Sequence, residues 1–243
     1  MIANYHSIET FSSVDGPGIR YVLFLQGCNL VCKFCHNPDM LTIKKNKEIS
    51  VQEVVSDFLK YRTFYRNGGI TISGGEPLLQ IDFIIELFRE LKKLNVHTCI
   101  ETQGSLFVEG EKYQELVSLT DLFLVNLKGV DNDYSLDICG IKIDRTLEFL
   151  KYLDNLDHKF TITYVLLPGI NDNEYCATEY ARIISSYKQA NVTFQVLPYH
   201  NMGIEKWDKL NIKYLLRDLR EPKKDEVEAF VVRVKHQINE FIA

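Results

Sequence analysis

Short runs of β-branched and aromatic residues alternate along the chain with longer stretches in which apolar positions recur every three or four residues. The short runs fit buried strands, and the longer ones fit helices with one face turned to a core. Strands are predicted at 20–26, 70–73, 97–101, 122–127, 160–167 and 193–197. Helices are predicted at 51–66, 83–94, 112–119, 145–156 and 174–189, with a last one at 225–241 after the polar stretch that begins at Arg220. Two starts carry capping signals: Ser50 before Val51 with Glu53 three residues on, and Asp82 before Phe83.

Strand and helix in alternation predict βα units around a parallel sheet, an α/β fold. Six such alternations in 243 residues fall short of a full eightfold barrel, which needs about 250 residues before insertions. The expectation is an open, partial (β/α)6 barrel resembling part of a TIM barrel, with chemistry at the C-terminal ends of its strands. No Gly/Ser/Pro-rich linker and no long internal repeat interrupts the pattern, so residues 1–243 read as a single domain.

Composition narrows the partners. Hydrophobic residues make up 46% and charged residues 25%, enough for a packed core. With 28 Lys and Arg against 33 Asp and Glu, the formal charge of -5 gives no electrostatic case for nucleic acid. The N-terminus lacks a basic segment followed by an apolar one, and unbroken apolar runs reach only about five residues, as at 21–25, so neither a secretory signal nor a membrane span is expected. A cytoplasmic location follows as an expectation, and in a reducing compartment the six cysteines point to metal or thiol chemistry before disulfides.

Cys28, Cys32 and Cys35 fall within eight residues directly after the first predicted strand, whereas Cys99, Cys139 and Cys176 stand alone and read as core filling. Three clustered thiolates suit a 4Fe-4S cluster with one iron left open to another ligand. Spacing alone leaves two other readings: Cys32-Lys33-Phe34-Cys35-His36 matches a c-type haem attachment pattern, and a Cys3His zinc site would draw on the same residues. Haem attachment suits exported proteins, and zinc would need adjacent Cys35 and His36 on one ion. The cluster is therefore favoured. A second feature, Ser73-Gly74-Gly75-Glu76-Pro77, ends a predicted strand with a turn where a ligand amine could meet backbone carbonyls and a carboxylate. By itself such a turn is more often structural.

The Cys28, Cys32, Cys35 spacing, followed about 40 residues later by Gly-Gly-Glu-Pro, resembles the radical S-adenosylmethionine (radical SAM) superfamily. Val14-Asp15-Gly16-Pro17-Gly18-Ile19-Arg20, Gln26-Gly27-Cys28, Cys35-His36-Asn37-Pro38 and Leu197-Pro198-Tyr199-His200 together resemble its glycyl-radical activases, and among them the pyruvate formate-lyase activating enzymes. Many activases of other lyases carry a cysteine-rich insert after the first motif. Here about 34 residues without a cysteine separate Cys35 from Ile70, which favours the short form.

The resemblance implies that Cys28, Cys32 and Cys35 hold a 4Fe-4S cluster whose open iron chelates S-adenosylmethionine. Reductive cleavage would yield methionine and a 5′-deoxyadenosyl radical that abstracts hydrogen from a glycine Cα of formate C-acetyltransferase. It further implies that Phe34, Cys35 and His36 line the adenine, that Gly74, Gly75 and Glu76 hold the methionine amine, and that Asn126, Leu127, Lys128 and His200 complete the cofactor site. Asp15 would contact the substrate glycine loop. Glu101, Thr102 and Asn126 would form a monovalent cation site, weakened because relatives often carry Asp at both acidic positions. Thr163 likewise stands where relatives often have Arg. A flavodoxin or ferredoxin-type donor and a monomeric state complete the expectation. Without the resemblance, Lys128 reads as a solvated strand-end charge, His200 as a loop histidine, and Lys44, Lys45 and Lys47 as a solvated loop. An activase of another glycyl-radical enzyme, a weakened family member, a haem electron carrier and a zinc-stabilised binding module are the alternatives.

Overall fold

The computed structural model describes residues 1–243. In chain order the elements are β1 (Ile2–Ser12), β2 (Arg20–Leu25), β3 (Lys47–Ser50), α1 (Val51–Lys60), β4 (Gly69–Gly74), α2 (Ile81–Lys93), β5 (Thr98–Thr102), α3 (Glu111–Ser118) and β6 (Leu122–Leu127), then α4 (Asn132–Cys139), α5 (Asp144–Asn155), β7 (Phe160–Leu166), α6 (Glu174–Ser185), β8 (Val192–Pro198), α7 (Ile204–Lys209) and α8 (Lys224–Ile242). Hydrogen bonding orders the strands β3-β1-β2-β4-β5-β6-β7-β8. All six expected strands are present, as β2 and β4 to β8. The sheet also contains β1 and β3, so it has eight strands rather than six.

The chain divides into two compact units, one of residues 1–29 and 40–124, the other of residues 30–39 and 125–243. In the first, β2 pairs with β4 and β4 with β5 in parallel, while β1 runs antiparallel to both β2 and β3. Nearly every residue of β2 and β4 is buried, as expected for parallel strands covered on both faces. Helix α2 supplies cover through Phe83, Ile84, Leu87, Phe88 and Leu91. Arg20 is fully buried where β2 starts; its Nε donates to Thr71 Oγ1 at 2.6 Å and its Nη1 to the Pro17 carbonyl at 3.0 Å. In the second unit β7 and β8 pair in parallel, and Tyr164 of β7 stacks on Tyr180 of α6 and Phe230 of α8, with ring centroids 4.8 and 5.8 Å away.

The capping box before α1 forms, Ser50 and Glu53 each bonding the other's backbone N–H. Asp82 is not a cap. A 3-10 turn over Pro77–Gln80 runs straight into α2, so the helix begins at Ile81 and Asp82 lies in its first turn. The helix expected over 51–66 ends at Lys60, with a 3-10 turn at Arg62–Tyr65, and the one expected over 174–189 ends at Ser185. Lys47 is part of β3 rather than a loop. No helix is long and apolar enough to cross a membrane.

Candidate active site

In the first unit the ends of β2 and β4 meet through backbone. The Gly75 N–H donates to the Leu25 carbonyl at 3.1 Å and the Glu76 N–H to the Gly27 carbonyl at 2.9 Å. A Cβ at Gly75 would lie 2.1 Å from the Gly27 oxygen and 2.9 Å from Cys28 Cβ, and one at Gly74 would lie 2.2 Å from the Leu25 oxygen. Only glycine can occupy these positions, so the Gly-Gly turn is held against the backbone that presents Cys28. Glu76 is 1% exposed and turned inward. Its Oε1 accepts from the Leu78 N–H at 3.1 Å and Thr102 Oγ1 at 2.6 Å, and its Oε2 from the Gln103 N–H at 2.9 Å. The carboxylate thus ties the turn after β4 to the end of β5, which leaves the backbone of Gly74 to Glu76 as the natural holder of a ligand amine.

Thr102 and Glu101 point to opposite faces of β5, as neighbours in a strand must. Thr102 bonds Glu76 and the Gly104 N–H, while Glu101 accepts from Ser73 Oγ at 2.8 Å. Asp15 is placed by Ser12, whose hydroxyl bonds Asp15 Oδ2, and by Thr71, whose hydroxyl donates to the Asp15 carbonyl at 2.6 Å. Burial pushes the Asp15 carboxyl up, the Ser12 bond opposes the shift, and the charge on Glu101 adds to it.

In the second unit the loop from Leu30 to Asp39 is fastened at three places. The N–H groups of Val31 and Lys33 donate to the Cys139 and Ile138 carbonyls at 3.1 and 2.9 Å, at the C-terminus of α4. Trp207 Nε1 on α7 donates to the Cys35 carbonyl at 2.8 Å, and Lys206 Nζ donates to Asn37 Oδ1 at 2.7 Å. His36 stacks on His200 with centroids 3.5 Å apart and donates from Nε2 to the His200 carbonyl at 2.8 Å. Burial holds His36 down at about 4, so its ring is neutral near pH 7. The strand-end residue Lys128 places its ammonium 5.2 Å from the centre of the buried Phe34 ring, and its charge reaches the thiols of Cys32 and Cys35. Leu127 is buried behind it. The two departures from the family pattern pair with each other, Thr163 Oγ1 donating to Asn126 Oδ1 at 2.7 Å. A cation at Asn126 would compete with that bond.

Cys28, Cys32 and Cys35 are partly exposed, whereas Cys99, Cys139 and Cys176 are buried. In the first unit Cys28 lies beside a glycine-only cradle, and in the second Cys32 and Cys35 feel the Lys128 charge; thiols so placed are the kind of donor a thiolate-bound cluster takes. His200 Nδ1 is buried without a hydrogen-bond partner, an orphan that a nucleoside hydroxyl or ring nitrogen would satisfy. Cys139 does more than fill the core. The interaction with Cys139, together with burial, pushes the Cys32 thiol up, and the Cys139 thiol is drawn down in turn. Sequence reasoning passed over this contact, and also Trp207 and Lys206. The sole tryptophan, in an otherwise polar segment, was the available signal for α7.

A model of the radical SAM superfamily matches residues 22–179. The chain belongs to the radical SAM superfamily. It is 40% identical over 228 residues to a pyruvate formate-lyase-activating enzyme of Staphylococcus epidermidis, covering 91% of this chain and 90% of that one. The corresponding Staphylococcus aureus protein is 39% identical over 231 residues, 92% of each chain. Among solved structures, Streptococcus suis SuiB bound to its precursor peptide SuiA superposes with a TM-score of 0.64 at 18% identity, over 88% of this chain and 45% of that one. A domain of a pyruvate-formate lyase-activating enzyme from Bacteroides vulgatus superposes with 0.57 at 20% identity, over 70% of this chain and 95% of that one. These two carry the fold alone, and the fold is that of radical SAM enzymes. As a member of the superfamily, the protein is an enzyme that uses a 4Fe-4S cluster and S-adenosylmethionine.

Proposed function

We propose that the chain activates a glycyl-radical lyase, formate C-acetyltransferase, and that Cys28, Cys32 and Cys35 ligate its cluster. The observation that carries the reading is 40% identity to a pyruvate formate-lyase-activating enzyme over 91% of the chain. Cys28, Cys32 and Cys35 would hold the cluster, which with bound S-adenosylmethionine would supply one-electron cleavage of the sulfonium and, through the fragment released, removal of a hydrogen atom from a glycine Cα of the partner.

The residues of this chain bind, orient and exclude water. Gly74, Gly75 and Glu76 present carbonyl oxygens to the methionine amine, and Glu76 spends its side chain on holding that turn in place. Phe34, the Cys35 backbone and the neutral His36 and His200 rings offer a flat, largely apolar face to adenine, with His200 Nδ1 as its polar contact. Lys128 lies beside the thiols, where it meets a ligand carboxylate or ribose oxygen, and Asn126 and Leu127 shape the strand end beneath it. Asp15 meets the glycine loop of the lyase. Glu101, Thr102 and Asn126 are the oxygen donors on offer to a monovalent cation, all three already engaged: Glu101 by Ser73, Thr102 by Glu76 and the Gly104 N–H, and Asn126 by Thr163. One family match running across both units supports reading residues 1–243 as a single domain. A monomer in the cytoplasm, reduced by a flavodoxin or ferredoxin-type donor, completes the proposal.

Anaerobic reconstitution with iron and sulfide tests it. About four irons per chain, a low-temperature electron paramagnetic resonance (EPR) signal altered by S-adenosylmethionine, and a glycyl-radical doublet on the lyase are expected. Zinc alone, covalent haem, or a radical on a different lyase only would overturn it.

A further inference from the structure

We propose that the cavity at the N-terminal ends of β4 and β5 binds a small phosphorylated metabolite, a phosphate monoester with an organic body. The Gly-Gly-Glu turn and Thr102 lie at the other ends of these two strands, so the site is separate from the one described above.

The cavity has a volume of about 420 Å³ and is walled by the 3-10 turn at Arg62–Tyr65, by the Gly68-Gly69 backbone that leads into β4, and by the segment from Leu94 to His97 that leads into β5. Sites for small molecules run to roughly 300–1,000 Å³. Phe58, Leu94 and Val96 give it an apolar floor, and no acidic residue lines it. A Cβ at Gly68 would lie 1.8 Å from the Ile19 oxygen, and one at Gly69 would lie 2.0 Å from the His97 oxygen. That wall is therefore bare backbone, which a ligand can approach closely.

The arginines single the cavity out. Arg89, Arg145, Arg182, Arg217, Arg220 and Arg233 are each ion-paired with a carboxylate. The three remaining arginines of this acidic chain, Arg20, Arg62 and Arg66, have no carboxylate partner, and all three converge here. Arg62 spends one donor on the Leu94 carbonyl at 2.9 Å, which braces the turn against the end of α2 and leaves the rest of its fork unused. The Arg66 guanidinium bonds nothing within the protein, and neither do the Thr63 hydroxyl and the Asn95 amide beside it in the lining. Arg20 lies behind His97, with its Nη2 3.4 Å from His97 Nδ1. An arginine can only donate, so Nδ1 accepts and Nε2 carries the ring proton. The charge of Asp121 reaches His97, but that carboxylate is already tied to Lys92 and to the Thr98 N–H at 2.7 Å.

Two guanidinium forks with a hydroxyl, an amide and an imidazole N–H complement a phosphate dianion, whose three terminal oxygens accept from several donors at once. A carboxylate brings one charge and two oxygens, and would leave donors unmatched. Inorganic phosphate would leave the apolar floor in water, whereas the organic body of an ester covers it.

Isothermal titration calorimetry on the full-length protein, with glucose 6-phosphate, glycerol 3-phosphate, inorganic phosphate and glucose as probes, tests the proposal. Both esters should bind once per chain, inorganic phosphate more weakly, and glucose not at all. Arg66→Ala should weaken both esters about ten-fold or more, with an unchanged unfolding midpoint because the side chain holds nothing in the protein. Phenylglyoxal modification, mapped by mass spectrometry, gives the location: each ester should protect Arg62 and Arg66 and leave Arg145 unprotected. Absence of heat from both esters in the millimolar range overturns the proposal, as do inorganic phosphate binding as tightly as the esters, equal affinity in Arg66→Ala, or protection elsewhere. The affinities should be the same in the cluster-free chain and in the reconstituted protein saturated with S-adenosylmethionine. Displacement by S-adenosylmethionine would put the anion in the cofactor site and overturn the proposal. None of these measurements uses a lyase, so failure of the proposed function would leave them standing.

Discussion

Asp15 carries a charge that its surroundings oppose, which marks it as a residue kept for something other than stability. Its carboxyl pKa is raised by burial, against the Ser12 bond, with Glu101 adding to the shift. A carboxyl raised in the folded state binds its proton more readily there than in the unfolded chain. Its folded form is therefore unpenalised below the unfolded value of about 3.9 and is progressively penalised as pH rises through the folded value. Asp15→Asn should accordingly be more stable than wild type at pH 7, with the gap closing near pH 4, as urea unfolding at the two pH values would read. The same variant should bind the lyase's glycine peptide less well while cleaving S-adenosylmethionine at nearly the wild-type rate. Glu76→Gln runs the other way. A single amide oxygen cannot serve the donors of Leu78, Thr102 and Gln103 in a site that is 1% exposed, and a buried donor left unmatched costs about 1–3 kcal/mol. Its unfolding midpoint should fall and S-adenosylmethionine affinity should fall with it; loss of affinity in a variant of unchanged stability would instead make the side chain a direct ligand.

Among the elements, legibility in the sequence followed burial. Strands β2 and β4 were readable because nearly every position is apolar and covered. Strand β1 was not, because Tyr5, His6, Ser7 and Glu9 mix with the apolar residues and most of its positions are only half-buried. It is ordered by pairing with β2 and β3, a long-range effect that no local pattern carries. Helix α4 was missed for a related reason: Asn132, Asp133 and Asp137 mask a short apolar face, and the helix ends at Cys139, where it fastens the cysteine loop. The Cys-rich loop and the Gly-Gly-Glu turn were legible as motifs, but the support that α4 and α7 give the Cys-rich loop was not. The capping box of α1 offers a direct check. Ser50→Ala removes the acceptor of the Glu53 N–H and the donor to its carboxylate, and should cost about 1 kcal/mol in chemical denaturation. Gly75→Ala tests the other kind of element, a close backbone approach. Its Cβ would fall 2.1 Å from the Gly27 oxygen, so the turn must part from the end of β2, and iron binding should drop even where circular dichroism remains normal.

At the scale of the whole molecule the substrate is itself a folded protein, and that sets the energetics of recognition. A glycine Cα inside a lyase can reach a cofactor held at strand ends only if its loop leaves the lyase and becomes ordered on this chain. Ordering costs about 1–2 kcal/mol for each residue fixed, which is subtracted from every contact the loop makes. The formal charge of -5 provides no long-range attraction toward an acidic partner. A linear peptide copying the glycine loop should therefore be activated with a high KM, and a cyclised peptide of the same residues, already confined near the bound shape, with a lower one at similar kcat. For the intact lyase, substitutions that loosen its own packing around the glycine loop should raise the rate at which the EPR doublet appears without altering the affinity of this chain for S-adenosylmethionine. If peptide cyclisation and loosening of the lyase both left KM and rate unchanged, recognition would lie in a preformed surface of the lyase, and Asp15 would not be the residue that reads the loop.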